Sequence, residues 1–191
     1  MLCAGYYIVS YSEVNAMIDK FEVTLPHLTG DEPRFAYVYC PDKKGKYPVL
    51  YMFDGHNVFL DSDATYGKSW GMKNFMDKSR TQMIIVAVEC NHNSEPDNCR
   101  LSEYSPFTFN DSHFGFIEGR GEETMEWIVN ELKPFIDSEL RTLPDRKHTF
   151  ISGSSISSSF CPSFPSIPIG VSIIGVAFST FTVTTIPVTS L

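Results

Sequence analysis

Residues Gly153-Ser154-Ser155-Ile156-Ser157 follow a short apolar run, Thr149-Phe150-Ile151. A serine flanked by small residues, between a strand and a helix, is the pattern of a nucleophile elbow, G-x-S-x-G. The chemistry needs small residues because the turn is sharp and lifts the hydroxyl clear of the sheet edge. Ser155 takes the nucleophile place and Gly153 that of the first glycine, while Ser157 stands where the second glycine belongs. Taken alone this string is weak, because Ser-rich turns are common. The strand before it and a second loop strengthen it.

That second loop is Phe53-Asp54-Gly55-His56-Asn57, after the apolar run Val49-Leu50-Tyr51-Met52-Phe53. Backbone N–H groups at the carboxyl end of such a strand are where this kind of sheet places half of an oxyanion hole, and the other donor would be the N–H of Ile156. Gly55 lets the chain turn without a Cβ clash. His56 precedes the serine, whereas the base of this arrangement follows it, so His56 is expected to line the pocket or cap the turn. Asp54 is expected to hold its loop by hydrogen bonds.

The elements that must position these loops are legible. Phe21, Val23 and Leu25 alternate with polar residues, Phe35, Tyr37 and Tyr39 recur at the same two-residue spacing, and both stretches read as strands. The turn 41–45 reads as a hairpin joining the second of these to the run 49–53. Continuous apolar runs at 49–53 and 83–88 fit strands covered on both faces, and 149–151 is a third, shorter one. A short helix is expected over 67–78. A better one spans 122–140, where Met125, Ile128, Val129, Leu132, Phe135 and Ile136 form one apolar stripe, with Pro134 expected to kink it or begin a new turn. Strands alternating with helices predict an α/β fold with a mostly parallel sheet and an antiparallel N-terminal hairpin.

Composition narrows the function. The 191 residues suit one domain, and 42% hydrophobic with 20% charged residues is ordinary for a globular chain. A net charge of −8 without a basic cluster excludes a nucleic-acid partner. Five scattered cysteines, Cys3, Cys40, Cys90, Cys99 and Cys161, make neither a disulfide framework nor a zinc signature, so a reducing, cytoplasmic setting is expected. The N-terminus lacks the basic region and cleavage site of a signal peptide. His92, His113 and Glu103 are too irregularly spaced to suggest metal-assisted hydrolysis; no metal and no cofactor are expected.

Residues 149–191 contain no Asp, Glu, Lys, Arg or His. Residues 1–155 therefore read as the front part of a domain, and 156–191 as an uncharged Ser/Thr/Pro/Ile/Val-rich tail. Three readings of the tail stay open: a non-native, frame-shifted continuation, which leads; a pair of buried strands; and a membrane segment over 169–186. The hydroxyls and the flanking Pro168 and Pro187 disfavour the last.

The strings YPVLYMFDGHNVFLD, YGKSW, RLSEYSPF, ELKPFID, RTLPDRKHT and GSS occur in this order. Together they resemble the esterase family of α/β-hydrolases that includes esterase D-like S-formylglutathione hydrolases, siderophore esterases and feruloyl or acetyl-xylan esterases, over about residues 17–155. The resemblance implies hydrolysis of an ester or thioester, on a small molecule or a glycan, through an acyl-enzyme on Ser155. It also implies that Gly55 and His56 belong to the oxyanion loop, and that Asp54, Asn57, Trp70, Arg100, Glu103 and Tyr104 lie near the substrate. Residues 91–120 would set specificity. The pattern departs after the serine: the family continues GSSMGG and later supplies an acid and a histidine, whereas this chain reads GSSISSSF and has neither type after His148. A serine without a base is a poor nucleophile. The expectation is an esterase present as an incomplete or altered copy; the rival is a non-catalytic binding protein on the same fold.

Overall fold

The structure is a computed structural model that describes residues 8–9, 18–29, 32–41, 44–92, 99–153 and 172–175. Its elements run β1 (Ile8–Val9), β2 (Ile18–Val23), α1 (Pro26–Thr29), β3 (Arg34–Tyr39), β4 (Val49–Phe53), α2 (Met72–Ser79), β5 (Ile84–Val88), α3 (Cys99–Tyr104), β6 (Phe109–Asp111), β7 (Gly115–Ile117), α4 (Gly121–Trp127), α5 (Lys133–Glu139), β8 (Thr149–Gly153) and β9 (Ser172–Gly175).

One sheet has the order β1-β2-β3-β5-β4-β8-β9, and β6-β7 form a separate two-stranded ribbon. Strands β1, β2 and β3 pair antiparallel, and β3 meets β5 antiparallel. From β5 onward the pairs are parallel, with Phe53 opposite Val88, Met52 opposite Ser152 and Ser152 opposite Ile174. This is the α/β sheet expected, mixed in strand direction, with antiparallel strands on its N-terminal side.

The hairpin expected between β3 and the run 49–53 does not form. Strand β5 lies between β3 and β4. The reason is burial: β4 and β5 are buried at every position, so each needs a strand on both sides. A parallel β4–β5 pair requires a crossover, which α2 supplies. Strands β3 and β4, consecutive in sequence, are therefore not neighbours in the sheet.

Alternation along the strands divides two cores rather than core from solvent. Ala36, Val38, Val49, Tyr51, Phe53, Ile84, Val86 and Val88 face one layer, packed against Met125, Trp127, Ile128, Leu132 and Ile136. Tyr37, Tyr39, Leu50, Met52, Ile85 and Ala87 face the other, against Val58, Phe59, Met72 and Met76. Both faces of the sheet are thus covered, the usual state of parallel strands.

The helix over 122–140 is present, and its stripe packs on the sheet. Its middle, Ile128–Leu132, winds as a π-helix between α4 and α5. Pro134 then falls in the first turn of α5, directly after the π-helix. The helix expected over 67–78 begins only at Met72. Gly67 and Gly71 both take positive φ, 66° and 68°, which keeps 61–71 a loop.

Of the uncharged tail only β9 is described, as a strand parallel to β8. The expectations for Ser155, Ile156 and the rest of 156–191 lie outside the described residues. Among the described residues no helix is long and apolar enough to cross a membrane.

Candidate active site

Strands β4, β5 and β8 are parallel neighbours, so their carboxyl ends open on one edge of the sheet. That edge of an α/β sheet is where ligands are received. Three segments leave it: 54–57 from β4, 89–92 from β5, and the residues after Gly153 from β8.

The segment after β4 is a tightly tied turn. Asp54 is left-handed at φ 59°, ψ 45°, unusual for a residue with a Cβ. Arg100 on α3 holds it from two points, Nε donating to Oδ1 at 2.7 Å and Nη2 to Oδ2 at 2.6 Å. The backbone N–H of Asp54 donates to the Tyr104 hydroxyl at 3.3 Å. Hydrogen bonding to Asp54 raises the pKa of Arg100 still further, so the guanidinium stays charged. Residues Gly55–Asn57 then make one 3-10 turn, with Asn57 N donating to Asp54 O at 2.8 Å and Val58 N to Gly55 O at 3.1 Å. The leading N–H groups of such a turn, those of Gly55 and His56, have no acceptor within it.

Gly55 is required by contact rather than by φ. A Cβ there would sit 2.4 Å from Ala87 O and 2.7 Å from Ala87 C, both backbone atoms of β5. The turn after β4 is therefore pressed flat on the neighbouring strand.

His56 is buried. Its Nε2 lies 2.8 Å from Asn57 Nδ2 and 3.1 Å from Thr65 Oγ1. Asn57 Oδ1 accepts from Thr65 N at 3.0 Å, which fixes Asn57 Nδ2 as a donor toward the ring. His56 Nδ1 is buried with no partner among the described residues. Burial first, and the nearby His92 second, lower the His56 pKa and keep the ring neutral. Asn57 thus uses its whole side chain on its own loop. Trp70 is half-buried and closes the same loop, its N–H donating to Asn57 O at 2.7 Å.

Helix α3 backs the site. Tyr104 is fully buried, with its ring 4.8 Å from that of Phe53 and the Arg100 guanidinium 5.2 Å from its centroid. Burial raises its pKa well above the usual phenol value, so the hydroxyl stays protonated. Glu103 is buried behind the loops. Arg34 Nη1 donates to its Oε1 at 2.6 Å and Asn91 N to its Oε2 at 3.1 Å. Burial pushes the Glu103 carboxyl up, with Arg34 opposing. Its position ties β3, α3 and the loop after β5 together.

Of the residues singled out in the sequence, Asp54, Gly55, His56, Asn57, Trp70, Arg100 and Tyr104 gather in and behind one loop. Glu103 is one layer further in, with both carboxylate oxygens engaged. The alternative group of His92, His113 and Glu103 is not assembled among the described residues: His113 lies on the exposed β6–β7 turn, its N–H donating to Asp111. Cys90 and His92, which the sequence reading did not connect with His56, stand beside it. The signal available was the short Cys90-x-His92 spacing immediately after a buried strand.

Residues 29–161 match the model of the family described as "Putative esterase". No curated protein matches the chain. Among solved structures, an IroE-like serine hydrolase from Shewanella oneidensis superposes with a TM-score of 0.59 at 18% identity, covering 82% of this chain and 48% of that one. The BES protein from Bacillus cereus gives a TM-score of 0.56 at 16% identity, covering 83% and 59%. The siderophore hydrolase EstA from Aspergillus nidulans gives 0.53 at 15%, covering 78% and 53%. At these identities the likeness is one of fold. The chain spans about half to three-fifths of the length of these three structures.

Proposed function

The chain belongs to the family described as "Putative esterase", and on that premise we propose that it acts on a carboxylic ester or thioester, with Ser155 as nucleophile and an acyl-enzyme as intermediate. The observation that carries this reading is an adjacency. Strand β8 ends at Gly153, two residues before Ser155, and runs parallel beside β4, whose turn offers the N–H groups of Gly55 and His56. A serine two positions beyond the end of β8 and two donors leaving β4 supply the residue types an acyl transfer needs. In this mechanism the Ser155 hydroxyl adds to the acyl carbon and the alcohol or thiol departs with a proton. Water then hydrolyses the acyl-serine. The N–H groups of Gly55, His56 and Ile156 receive the oxyanion in both steps. Asp54 and Arg100 act on the loop rather than on the substrate.

Proton removal is the weak step. Residues 156–191 hold no Asp, Glu or His, and general-base help is worth about 10²–10⁴-fold. This 191-residue chain, assayed as such, is therefore a slow esterase. The names of relatives, a siderophore hydrolase and a ferulic acid esterase, point to small-molecule or glycan-linked esters as the substrate class.

The test is the hydrolysis of a p-nitrophenyl acyl ester by the purified chain, with labelling by a fluorophosphonate. The expected result is labelling at Ser155, lost in Ser155→Ala, with turnover well below one per second. Several turnovers per second that depend on Ser155 would refute the proposed impairment. A folded chain without labelling would refute the nucleophile and favour a binding role on the same fold.

A further inference from the structure

Three side chains that the ester reading leaves without a role converge beside the turn after β4. His56 follows β4 by three residues, and Cys90 and His92 follow β5 by two and four. Because β4 and β5 are parallel, with Phe53 opposite Val88, both loops leave the sheet side by side. Cys90 Sγ lies 3.9 Å from His92 Nδ1, and the rings of His56 and His92 meet edge to face at 4.5 Å. One ligand atom from each residue lies within 4.8 Å of the other two. His56 and Cys90 are buried and His92 is exposed. The buried His56 Nδ1 has no partner among the described residues, a state that costs free energy unless something else satisfies the nitrogen.

We propose that His56, Cys90 and His92 bind one divalent cation of borderline softness, Zn²⁺ above all. Two imidazoles and a thiolate select such an ion over Mg²⁺ or Ca²⁺, which require oxygen ligands. Zn–N bonds of 2.0–2.1 Å and a Zn–S bond of 2.3 Å set ligand-to-ligand spacings of roughly 3.3–3.6 Å in a tetrahedron. The Cys90–His92 pair is within a few tenths of that. The three ligand atoms, all within 4.8 Å of one another, would draw together by at most about 1.5 Å. A fourth position on the His92 side is left for water or an anion.

The proton balance is simple. Burial pushes the Cys90 thiol up to about 12, so it is protonated until a cation displaces the proton to solvent. His56 is already neutral, the form that ligates. Coordination through Nδ1 would move the ring proton to Nε2, which has Thr65 Oγ1 as an acceptor at 3.1 Å. Asp54 and Glu89, whose charges reach His56, offset the remaining positive charge. The bound ion would clamp the turn after β4 to the loop after β5. Nothing in this inference depends on ester hydrolysis.

The experiment titrates the purified chain with Co²⁺, a spectroscopic stand-in for Zn²⁺. The expected result is a thiolate-to-cobalt charge-transfer band that saturates at one ion per chain and disappears when Zn²⁺ is added. Cys90→Ser abolishes the band, His92→Ala weakens binding at least tenfold, and Cys40→Ser, a change at a half-buried cysteine elsewhere, leaves both intact. Circular dichroism shows which variants are folded. Absence of the band in a folded wild-type chain at millimolar Co²⁺ overturns the proposal. So does a band of equal strength in folded Cys90→Ser, which would assign the thiolate to another cysteine. Because the readout is spectroscopic, it stands or falls separately from any assay of Ser155.

Discussion

Arg100 holds Asp54 in a left-handed conformation by a two-point ion pair, Nε to Oδ1 at 2.7 Å and Nη2 to Oδ2 at 2.6 Å. A residue with a Cβ at φ 59° stores roughly 1–3 kcal/mol of strain, which only an over-determined surrounding sustains. The pair offsets it. Arg100→Ala leaves a carboxylate that is 3% exposed without its partner. Arg100 itself is 30% exposed, which screens part of the effect. The expected loss is roughly 2–3 kcal/mol in urea unfolding. Arg100→Lys keeps the charge and loses the planar fork, so it recovers less than half. A midpoint unchanged in Arg100→Ala would mean that the pair does not hold the turn.

Gly55→Ala places a methyl group 2.4 Å from the carbonyl oxygen of Ala87, on a strand that is buried on both faces. Neither backbone can withdraw cheaply. The cost is expected at about 1–3 kcal/mol, as for other overpacked sites. Amide exchange should quicken in 54–58 and 87–88 together. Native stability and unchanged exchange in the variant would show that the turn is not seated on β5.

Leu132 is 2% exposed and lies in the layer between the helix and the sheet. Leu132→Ala should cost roughly 2–5 kcal/mol, the range for a buried leucine whose cavity relaxes only partly. The neighbouring Glu131, on the exposed face, serves as the control: Glu131→Ala should stay within about 0.5 kcal/mol. Equal effects at the two positions would contradict the packing of this stripe.

Asp61 should titrate at about 2 in the folded chain. The backbone N–H of Ser69 is the first cause, followed by the Ser69 hydroxyl and Lys68, at 2.8, 2.7 and 3.0 Å. The folded pKa lies below the ordinary value of 3.8, so the folded state holds its proton less tightly than the unfolded chain. The stabilisation is therefore complete above 3.8 and is lost as pH falls through about 2. Carboxyl NMR titration of wild type and Ser69→Ala reads it directly; the variant should titrate above the wild type but still below 3.8, because the backbone N–H of residue 69 and Lys68 remain. An Asp61 resonance that titrates near 4 in the wild type would dissolve the link between 61 and 69 that closes the loop before Trp70.

Local chemistry determined much of this protein. Continuous apolar runs made β4, β5 and β8 recognisable as covered strands, because only residues apolar on both faces survive between two layers. The 3.6-residue stripe from Met125 to Ile136 announced a helix for the same reason. The composition of 53–57 marked a turn where a small residue permits close approach. Neighbourhood was another matter. Nothing in 35–53 states that β5 inserts between β3 and β4, since sheet order is decided by which arrangement buries every strand at once. The alternation in β3 looked like one buried face and instead divides two buried layers, because the second layer comes from distant residues such as Met72 and Met76. Arg100 finds Asp54 across 46 positions of sequence, and Arg34 finds Glu103 across 69. The meeting of His56 with Cys90 and His92 has the same origin: two parallel strands end side by side, and only their tertiary pairing brings the loops that follow them within reach of one another.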